Sequence, residues 1–387
     1  MNYINTVMLS LSCVAFSLSY FSVKSFALSL MLLIGLVLIN NLKLLKIDFY
    51  FGILIAAVFG FILLISAFNG IYLNYFIKLL AMCCYCLLVV SVVRSSFVSD
   101  GQFRASLNLF ILIHVLFFVV QLTVFQASGV LLDFDSYVRE GDSRVLAYTR
   151  ALDDSIIRLR ATGLFSEPSF YAMNMLPVSI LNVVLLRKLT LVSAIGIATS
   201  VLCLSVASLF ICVALLPVLI ISTKENWKRF LILMSLIVIG ILILPNIINF
   251  IVMRVVEGVD YDAISFRLKI IEEFKLRGLL PNLLGNGFLW DERGRLGVTG
   301  MVGANVRDSG FYVYTFFTSG AFGLISLLLL ISITLRRQPL LLYTIACILL
   351  FKFHVMTGTF WLLFTYSYLI YQVGARDYCR SRLIKKT

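Results

Sequence analysis

Long uninterrupted apolar runs, each of roughly 17–23 residues, follow one another along almost the whole chain. A helix rises 1.5 Å per residue, so about 20 apolar residues cross the roughly 30 Å hydrocarbon core of a membrane. Within that core every backbone polar group must be paired inside the protein, which leaves helices or closed barrels. Barrel strands would alternate in polarity over about 10 residues, so continuous runs predict helices. Charged residues make up 13% of the chain, about half the share in a soluble domain.

The runs predict an all-α fold, a polytopic transmembrane helix bundle of about twelve spans forming a single membrane domain over residues 1–387. The run 190–222 is long for one helix and short for two, and we divide it at a tight turn near Ser205–Ser208. The first span lacks a preceding basic segment and is expected to be a retained helix. The predicted spans are 4–21, 26–42, 48–68, 71–93, 108–128, 169–186, 190–204, 206–222, 230–252, 311–334, 339–353 and 355–372.

The distribution of Lys and Arg between the connections predicts the orientation, because short cytoplasmic segments are enriched in them. With a cytoplasmic N-terminus, sixteen of these residues fall inside, whereas the short outside turns hold only Lys24. Both termini are therefore expected in the cytoplasm. Two long loops, 129–168 and 253–310, are expected on the periplasmic side.

Charge placement excludes several function classes. The net charge of +13 comes mostly from basic residues scattered in twos and threes at helix ends, which is a poor pattern for nucleic-acid binding. Ionisable groups within or between the spans are few: Lys78, His114, Lys352 and His354. We interpret the cations as snorkelling toward the interface. An ion-coupled transporter would usually have carboxylates in the middle of its spans and an internal repeat, and the sequence shows neither.

The first long loop ends in a basic segment that enters a span. Arg158 and Arg160 precede Ser166, a plausible N-cap, with Pro168 in the first helical turn. A helix N-terminus beside arginines forms a ready anion site, and Arg can grip phosphate oxygens bidentately. Glu167 could act as a general base or orient an arginine. The alternative is purely structural, with Ser and Glu capping the helix and the arginines binding lipid headgroups.

The second long loop contains an expected amphipathic helix over residues 262–278, capped by Asp262 and ended by Gly278. Helical spacing places Arg267 on the apolar stripe of Ile271 and Phe274. Such an arginine could reach into a cavity at the membrane face, or it could snorkel from a membrane-lying helix. Arg277 near the helix end could simply complement the helix dipole.

The rest of this loop carries a turn signal and a polar stretch. Gly285-Asn-Gly287 predicts a turn, and the Gly-rich stretch 291–307 is a candidate lid. Asp308 then precedes a span, either as the helix cap or as a carboxylate facing the same cavity as Glu167.

These segments together resemble the O-antigen polymerase (Wzy-type) family of bacterial inner-membrane proteins, which is related to the O-antigen ligases. The resemblance rests on the two enlarged loops among about a dozen spans and on four segments. The segments are 160–172 (Arg-Ala-Thr-Gly-Leu-Phe-Ser-Glu-Pro-Ser-Phe-Tyr-Ala), Arg267 followed after ten residues by Gly278, Leu284-Gly-Asn-Gly287, and Asp308-Ser-Gly310. Ligases commonly have a His where this chain has Arg307-Asp308, which favours the polymerase.

The resemblance implies that undecaprenyl-diphosphate-linked repeat units are joined at the periplasmic face. Donor and acceptor would both be lipid-linked glycans, with membrane lipids and a chain-length regulator as candidate partners. By this resemblance Arg160 and Arg267 would hold the donor diphosphate. As a hypothesis from the residues themselves, Arg158 and Arg277 assist in neutralising it, and either Glu167 or Asp308 serves as the base. No ligand cluster for a metal is present in the sequence, and no cofactor is expected. An O-antigen ligase and a non-enzymatic lipid-sugar flippase are the alternatives.

Overall fold

The structure is a computed structural model that describes residues 2–20, 22–68, 70–139, 158–223, 263–291 and 293–384. Side chains are described within these ranges except at 2, 263–268, 304 and 374–384. The predicted span 230–252 lies outside the described residues, as does Asp262, the expected cap of the amphipathic helix.

The described chain is mostly helical. Its helices are α1 (Asn2–Ser17), α2 (Val23–Ile39), α3 (Phe49–Ala67), α4 (Leu73–Arg94), α5 (Asp100–Ser128), α6 (Asp135–Val138), α7 (Pro168–Leu186), α8 (Leu191–Leu202), α9 (Val206–Ala214), α10 (Leu216–Ser222), α11 (Ala263–Leu276), α12 (Leu279–Leu284), α13 (Gly303–Arg307), α14 (Phe311–Leu335), α15 (Pro339–Ile348) and α16 (Gly358–Ile384). Between α12 and α13, strands β1 (Arg295–Leu296) and β2 (Met301–Val302) form an antiparallel hairpin.

Five helices in the described ranges are long and apolar enough to cross a membrane: α3, α4, α5, α7 and α14. Shorter apolar helices of 10–17 residues, α1, α2, α8 and α15, accompany them. The chain therefore has the helical, strongly apolar architecture expected of a membrane protein. The total of twelve spans and the side of the membrane that each end faces stay predictions.

The region 190–222 differs from its predicted division into two spans. Helix α8 has only 12 residues, about 18 Å, which is shorter than the roughly 30 Å hydrocarbon core. The turn falls at Cys203–Ser205, where Leu204 has φ 54°, slightly before the predicted position. A second break at Leu215, just ahead of Pro217, separates α9 from α10. Proline cannot continue the hydrogen-bond ladder, which accounts for this break.

The connection between α15 and α16 is longer than predicted. Helix α15 ends at Ile348, and α16 begins only at Gly358. The indole of Trp361 donates to the Val355 carbonyl in this connection at 2.8 Å, and Met356 N–H donates to His354 Nδ1 at 3.3 Å. These bonds pair polar groups of a non-helical segment that is largely buried in protein, as required at membrane depth.

Helix α14 is interrupted at Gly320, whose φ of 64° and ψ of −169° are not helical. The carbonyls left unpaired before the break are satisfied from the second long loop. Asn286 N–H donates to the Phe317 carbonyl at 3.0 Å, and Gly287 N–H donates to that of Thr318 at 2.8 Å. The Gly285-Asn-Gly287 segment, predicted as a turn, is a bend with positive φ at both glycines, and its N–H groups pair with the carbonyls at the break in α14.

We expect Gly320→Ala to destabilise the fold, because a Cβ there would overlap the backbone of Leu283 in α12. A non-Gly residue at positive φ adds a cost of about 1–2 kcal/mol. Thermal unfolding in detergent should show a lowered midpoint. The matched control is Gly60→Ala in α3, where the new methyl group meets nothing within 4 Å. An unchanged midpoint for Gly320→Ala would contradict the tight packing of α12 in the break.

The predicted amphipathic helix exists as α11 (Ala263–Leu276), but its buried face differs from the predicted stripe. Ile271 is 50% exposed, whereas Ile270, Glu273 and Arg277 are buried. The buried face thus follows Ile270, Glu273, Phe274 and Arg277, at the spacing that shares one side of a helix. The Glu273 carboxylate accepts from Val298 N–H at 2.9 Å and Thr299 N–H at 2.7 Å, which holds the β1–β2 turn.

Polar contacts define the two ends of the bundle. At one end Asp48 before α3 lies 3.9 Å from Arg94 of α4 and accepts from Tyr368 of α16 at 3.0 Å. At the other end Tyr72 N–H, just before α4, donates to the Leu289 carbonyl at 2.8 Å. We call the second end the loop end, because the two long predicted loops reach it.

Candidate functional site

Three connections at the loop end meet at one ammonium group. Lys352 Nζ, between α15 and α16, lies 2.9 Å from Glu167 Oε2 and 3.0 Å from Asp308 Oδ1. Glu167 begins α7 and Asp308 precedes α14. The structure therefore brings together the two carboxylates that the sequence singled out, through a lysine that it did not.

Glu167 owes its position to the start of α7. The N-cap is Glu167, with Pro168 as the first helical residue, so the expectation that Ser166 caps this helix is wrong by one position. Proline at the first helical position leaves the preceding residue outside the helix. Glu167 Oε2 also accepts from the Ser169 hydroxyl at 2.9 Å. Two donors on one oxygen fix the carboxylate and leave Oε1 without a hydrogen bond to the described residues.

The segment before Glu167 is buried and anchored. Gln121 of α5 accepts through Oε1 from Thr162 N–H at 2.7 Å and Gly163 N–H at 3.0 Å, and donates through Nε2 to the Leu132 carbonyl at 2.7 Å. The Phe165 ring stacks on His114 at 5.1 Å. One amide side chain in α5 therefore joins both ends of the first long loop and fixes the approach to α7.

Asp308 and Lys352 are tied to one another by backbone as well as by charge. The N-cap of α14 is Gly310, so Asp308 does not cap this helix and its carboxylate is directed to Lys352 instead. Phe311 N–H donates to the Phe351 carbonyl at 2.9 Å, which joins the start of α14 to the residue before Lys352. Lys352 Nζ also lies 4.5 Å from the centre of the Phe170 ring, a cation–π contact.

The charges of this group stabilise one another. Burial alone would raise the pKa of Glu167. The charge and hydrogen bond of Lys352, with the Ser169 hydroxyl and the charge of Arg139, together outweigh burial and hold that pKa below its ordinary value. Burial would lower the pKa of Lys352, and the two carboxylates raise it instead. The stabilisation is therefore complete between the ordinary values of 4.5 and 10.5. It is lost as pH falls through the folded pKa of Glu167 or rises through that of Lys352.

Three cationic side chains, those of Lys78, Arg307 and Lys352, act electrostatically on His354, and we call them the cation cluster. Burial lowers the pKa of His354 well below its ordinary value, and the charges of Arg307, Lys78 and Lys352 lower it further. The imidazole is therefore neutral at pH 7. Because Nδ1 accepts from Met356 N–H, the remaining ring proton is on Nε2 and available for donation.

Aromatic rings and carbonyls position these cations. The buried Arg307 guanidinium lies 4.8 Å from the Tyr75 ring and 4.7 Å from the Trp290 ring. Lys78 Nζ donates to the Tyr20 carbonyl at 3.2 Å, and the Tyr20 ring meets His354 edge-on at 5.0 Å. Three cationic side chains against two carboxylates leave an excess of positive charge. An excess of positive charge favours an anionic partner.

The arginines predicted to bind a diphosphate have different surroundings. Arg158 is exposed, and its backbone N–H lies 3.4 Å from Gln126 Oε1. Arg160 is buried within electrostatic range of the Cys203 thiol, which in turn contacts the Pro168 carbonyl at 3.4 Å. Arg160 therefore lies near the start of α7, toward the α8–α9 connection. Arg267 belongs to α11, but its side chain lies outside the described residues.

Arg277 has a structural position. Its Nη1 and Nη2 donate to the carbonyls of Phe317 and Phe316 at 3.2 and 3.3 Å, and Nε donates to Asn282 Oδ1 at 2.5 Å. Burial, opposed by Glu273, lowers its pKa to about 10, so it remains charged at neutral pH. Its donors support the break in α14 rather than facing an open cavity, and we leave it out of the proposed site.

Sequence reasoning missed the cation cluster because each member has a simple alternative explanation. Snorkelling or an interfacial position explains Lys78, Lys352 and His354, and Arg307 stands out only as the neighbour of Asp308. The available signal was their rarity, since ionisable residues in or beside spans usually face the bundle interior and each other. Their common location required the packing of α4, α7 and α14 against the α15–α16 connection.

The arrangement supports acid–base and charge-stabilising chemistry. A fixed, half-exposed carboxylate can accept a proton, and neighbouring cations can stabilise a leaving anion. Across the described residues, no group of three or more His, Cys, Asp and Glu side chains is placed to hold a metal ion.

Comparison with known proteins adds no assignment. The chain matches no protein-family model, no curated protein and no solved structure.

Proposed function

We propose that this protein joins undecaprenyl-diphosphate-linked oligosaccharide repeat units into O-antigen or a similar surface polysaccharide. The reaction takes place at the periplasmic face of a bacterial inner membrane. The observation that carries the proposal is the contact of Glu167 and Asp308 with Lys352, which is itself a member of the cation cluster. Such a site has a proton acceptor and a cationic receptor for a leaving diphosphate side by side.

Glu167 is the base in this proposal. Its Oε1 takes the proton of the acceptor sugar hydroxyl, and the acceptor oxygen forms a bond to the anomeric carbon of the donor glycan. The bond from that carbon to the diphosphate oxygen breaks, and the diphosphate leaves with the electron pair. Asp308 positions Lys352. General base catalysis of this kind contributes roughly 10²–10⁴-fold to a rate.

Lys352 couples the two halves of this reaction. In the structure its ammonium donates to two carboxylates. By lowering the pKa of Glu167 it keeps that carboxylate a weak base. A diphosphate arriving at the cation cluster competes for the same ammonium. Drawing Lys352 away from Glu167 raises the basicity of that carboxylate when the donor is bound. The cations then face the negative charge that develops on the leaving group, and stabilising such charge is often the main source of rate enhancement.

Purified protein in vesicles, supplied with synthetic undecaprenyl-diphosphate-linked repeat units, tests the function. We expect glycans of two or more repeats together with released undecaprenyl diphosphate. Transfer only when a lipid A core acceptor is added would identify a ligase. Movement of the lipid across the vesicle without a new glycosidic bond would identify a flippase. Either result would overturn the polymerase proposal.

A further inference from the structure

An apolar cavity with a volume of about 100 Å³ lies between α3, α14, α15 and α16. Its wall is almost entirely hydrocarbon, including Leu54, Leu327, Ile331 and Ile345. The few hydroxyl groups, those of Thr334, Ser367, Tyr368 and Tyr371, belong to the parts of α14 and α16 toward the Asp48 end. Neither Glu167, Asp308 nor the cation cluster lines this cavity, so the proposed reaction does not account for it.

One end of the cavity adjoins the site. Phe311, Leu349 and Phe360 line it there, and the Phe311 and Phe360 rings stack at 5.4 Å. Asp308 precedes Phe311 by three residues, and Lys352 follows Leu349 by three residues. Three residues span at most about 10 Å. The charged group and the apolar cavity are therefore neighbours, with polarity changing from ionic to hydrocarbon over a short distance.

The length of the cavity along α16 suits a hydrocarbon chain. Along α16 its lining runs from Phe360 to Tyr371, eleven residues or about 17 Å. That length is about half of the roughly 30 Å hydrocarbon core. Lipid tails are as apolar as these side chains, so occupancy is driven by close packing rather than by escape from water. A void without a filling chain would lose dispersion contacts along its whole lining.

We propose that this cavity holds the polyprenyl chain of the diphosphate-linked substrate, with its head group at the cation cluster. The inference rests on the proposed function for the identity of the lipid. The binding geometry rests on the cavity and the adjoining charges. A cavity of fixed shape selects among hydrocarbon chains, so the protein would distinguish a branched polyprenyl chain from a straight acyl chain.

The test fills the cavity by Ile331→Trp and compares it with Leu329→Trp. Leu329 is 56% exposed and, two residues away, lies on the opposite side of α14. Labelling with a photoreactive undecaprenyl diphosphate that carries no sugar measures binding without turnover. We expect Ile331→Trp to reduce labelling about tenfold or more, with a matching rise in KM for the full-length donor. A short-chain donor, whose hydrocarbon does not reach Ile331, should be used equally by both variants and the parent.

Equal labelling of the two tryptophan variants, both still folded, would overturn the cavity assignment. The proposed polymerase function would not be affected by that result. If Ile331→Trp loses a co-purifying phospholipid while polyprenyl labelling is unchanged, the cavity is occupied by an acyl chain and the proposal is wrong. If the parent binds the polyprenyl probe in the cavity but forms no polymer, the proposed function fails and the lipid site stands.

Discussion

Replacement of Lys352 by methionine is expected to lower glycan transfer by about 10²–10³-fold, the usual effect of removing one charge-stabilising donor. The methionine keeps much of the stem that lies against Phe170 but removes the charge between Glu167 and Asp308. Two half-exposed carboxylates are then left close together without the ammonium that lies between them. Transfer from synthetic lipid-linked donors, normalised to folded protein, measures the effect.

The pH dependence of the same variant separates a role in catalysis from a loss of folding. Lys352 holds the pKa of Glu167 below its ordinary value, and without it burial would raise that pKa. The acidic limb of the kcat/KM profile should therefore move to higher pH in Lys352→Met. Lys188→Met, a substitution of an exposed lysine beyond the far end of α7, should change neither rate nor profile. An unshifted acidic limb in Lys352→Met would show that Lys352 does not control the base.

Glu167→Gln is expected to reduce transfer by about 10²–10⁴-fold, because it removes the proposed proton acceptor. Glutamine keeps the shape and can still accept from Ser169 and Lys352 through its carbonyl oxygen. Asp308→Asn should cost less, because Asp308 acts through Lys352 in the proposal. The double variant should be no worse than Glu167→Gln by more than a small factor, since both residues serve one step.

The two single variants form a matched pair, because each removes one carboxylate from the same ammonium. Thermal unfolding of each should show similar, modest changes, since Glu167 and Asp308 are both about half exposed, at 52% and 48%. A larger loss of transfer in Asp308→Asn than in Glu167→Gln would move the base assignment to Asp308. Full activity in both variants would show that neither carboxylate takes part in the reaction.

The sequence predicted most of the long apolar helices because their signal is local. Runs of apolar residues as long as α4, α5 and α14 have few other ways to satisfy their backbone in lipid. The interruption at Gly320 was not predicted, because it depends on the packing of α12 and the Gly285-Asn-Gly287 turn against α14. The short α8 and the long α15–α16 connection were missed for the same reason, since tertiary contacts set their limits.

For the candidate site, the sequence identified Glu167 and Asp308 as carboxylates at helix starts but could not pair them. Their common partner, Lys352, is 185 residues from Glu167 and 44 from Asp308. Arginine spacing was a weaker guide. Arg277 fits the pattern of a phosphate ligand, and only the carbonyls of Phe316 and Phe317 show that its donors are used within the fold.

The separation of Glu167 and Lys352 along the chain has a consequence for biogenesis. Synthesis delivers Glu167 to the membrane long before Lys352, which belongs to the connection between α15 and α16. An unfinished or truncated chain therefore carries its carboxylate without the lysine that sets its basicity. On the proposed function, a chain that ends before Lys352 is therefore expected to transfer glycan poorly.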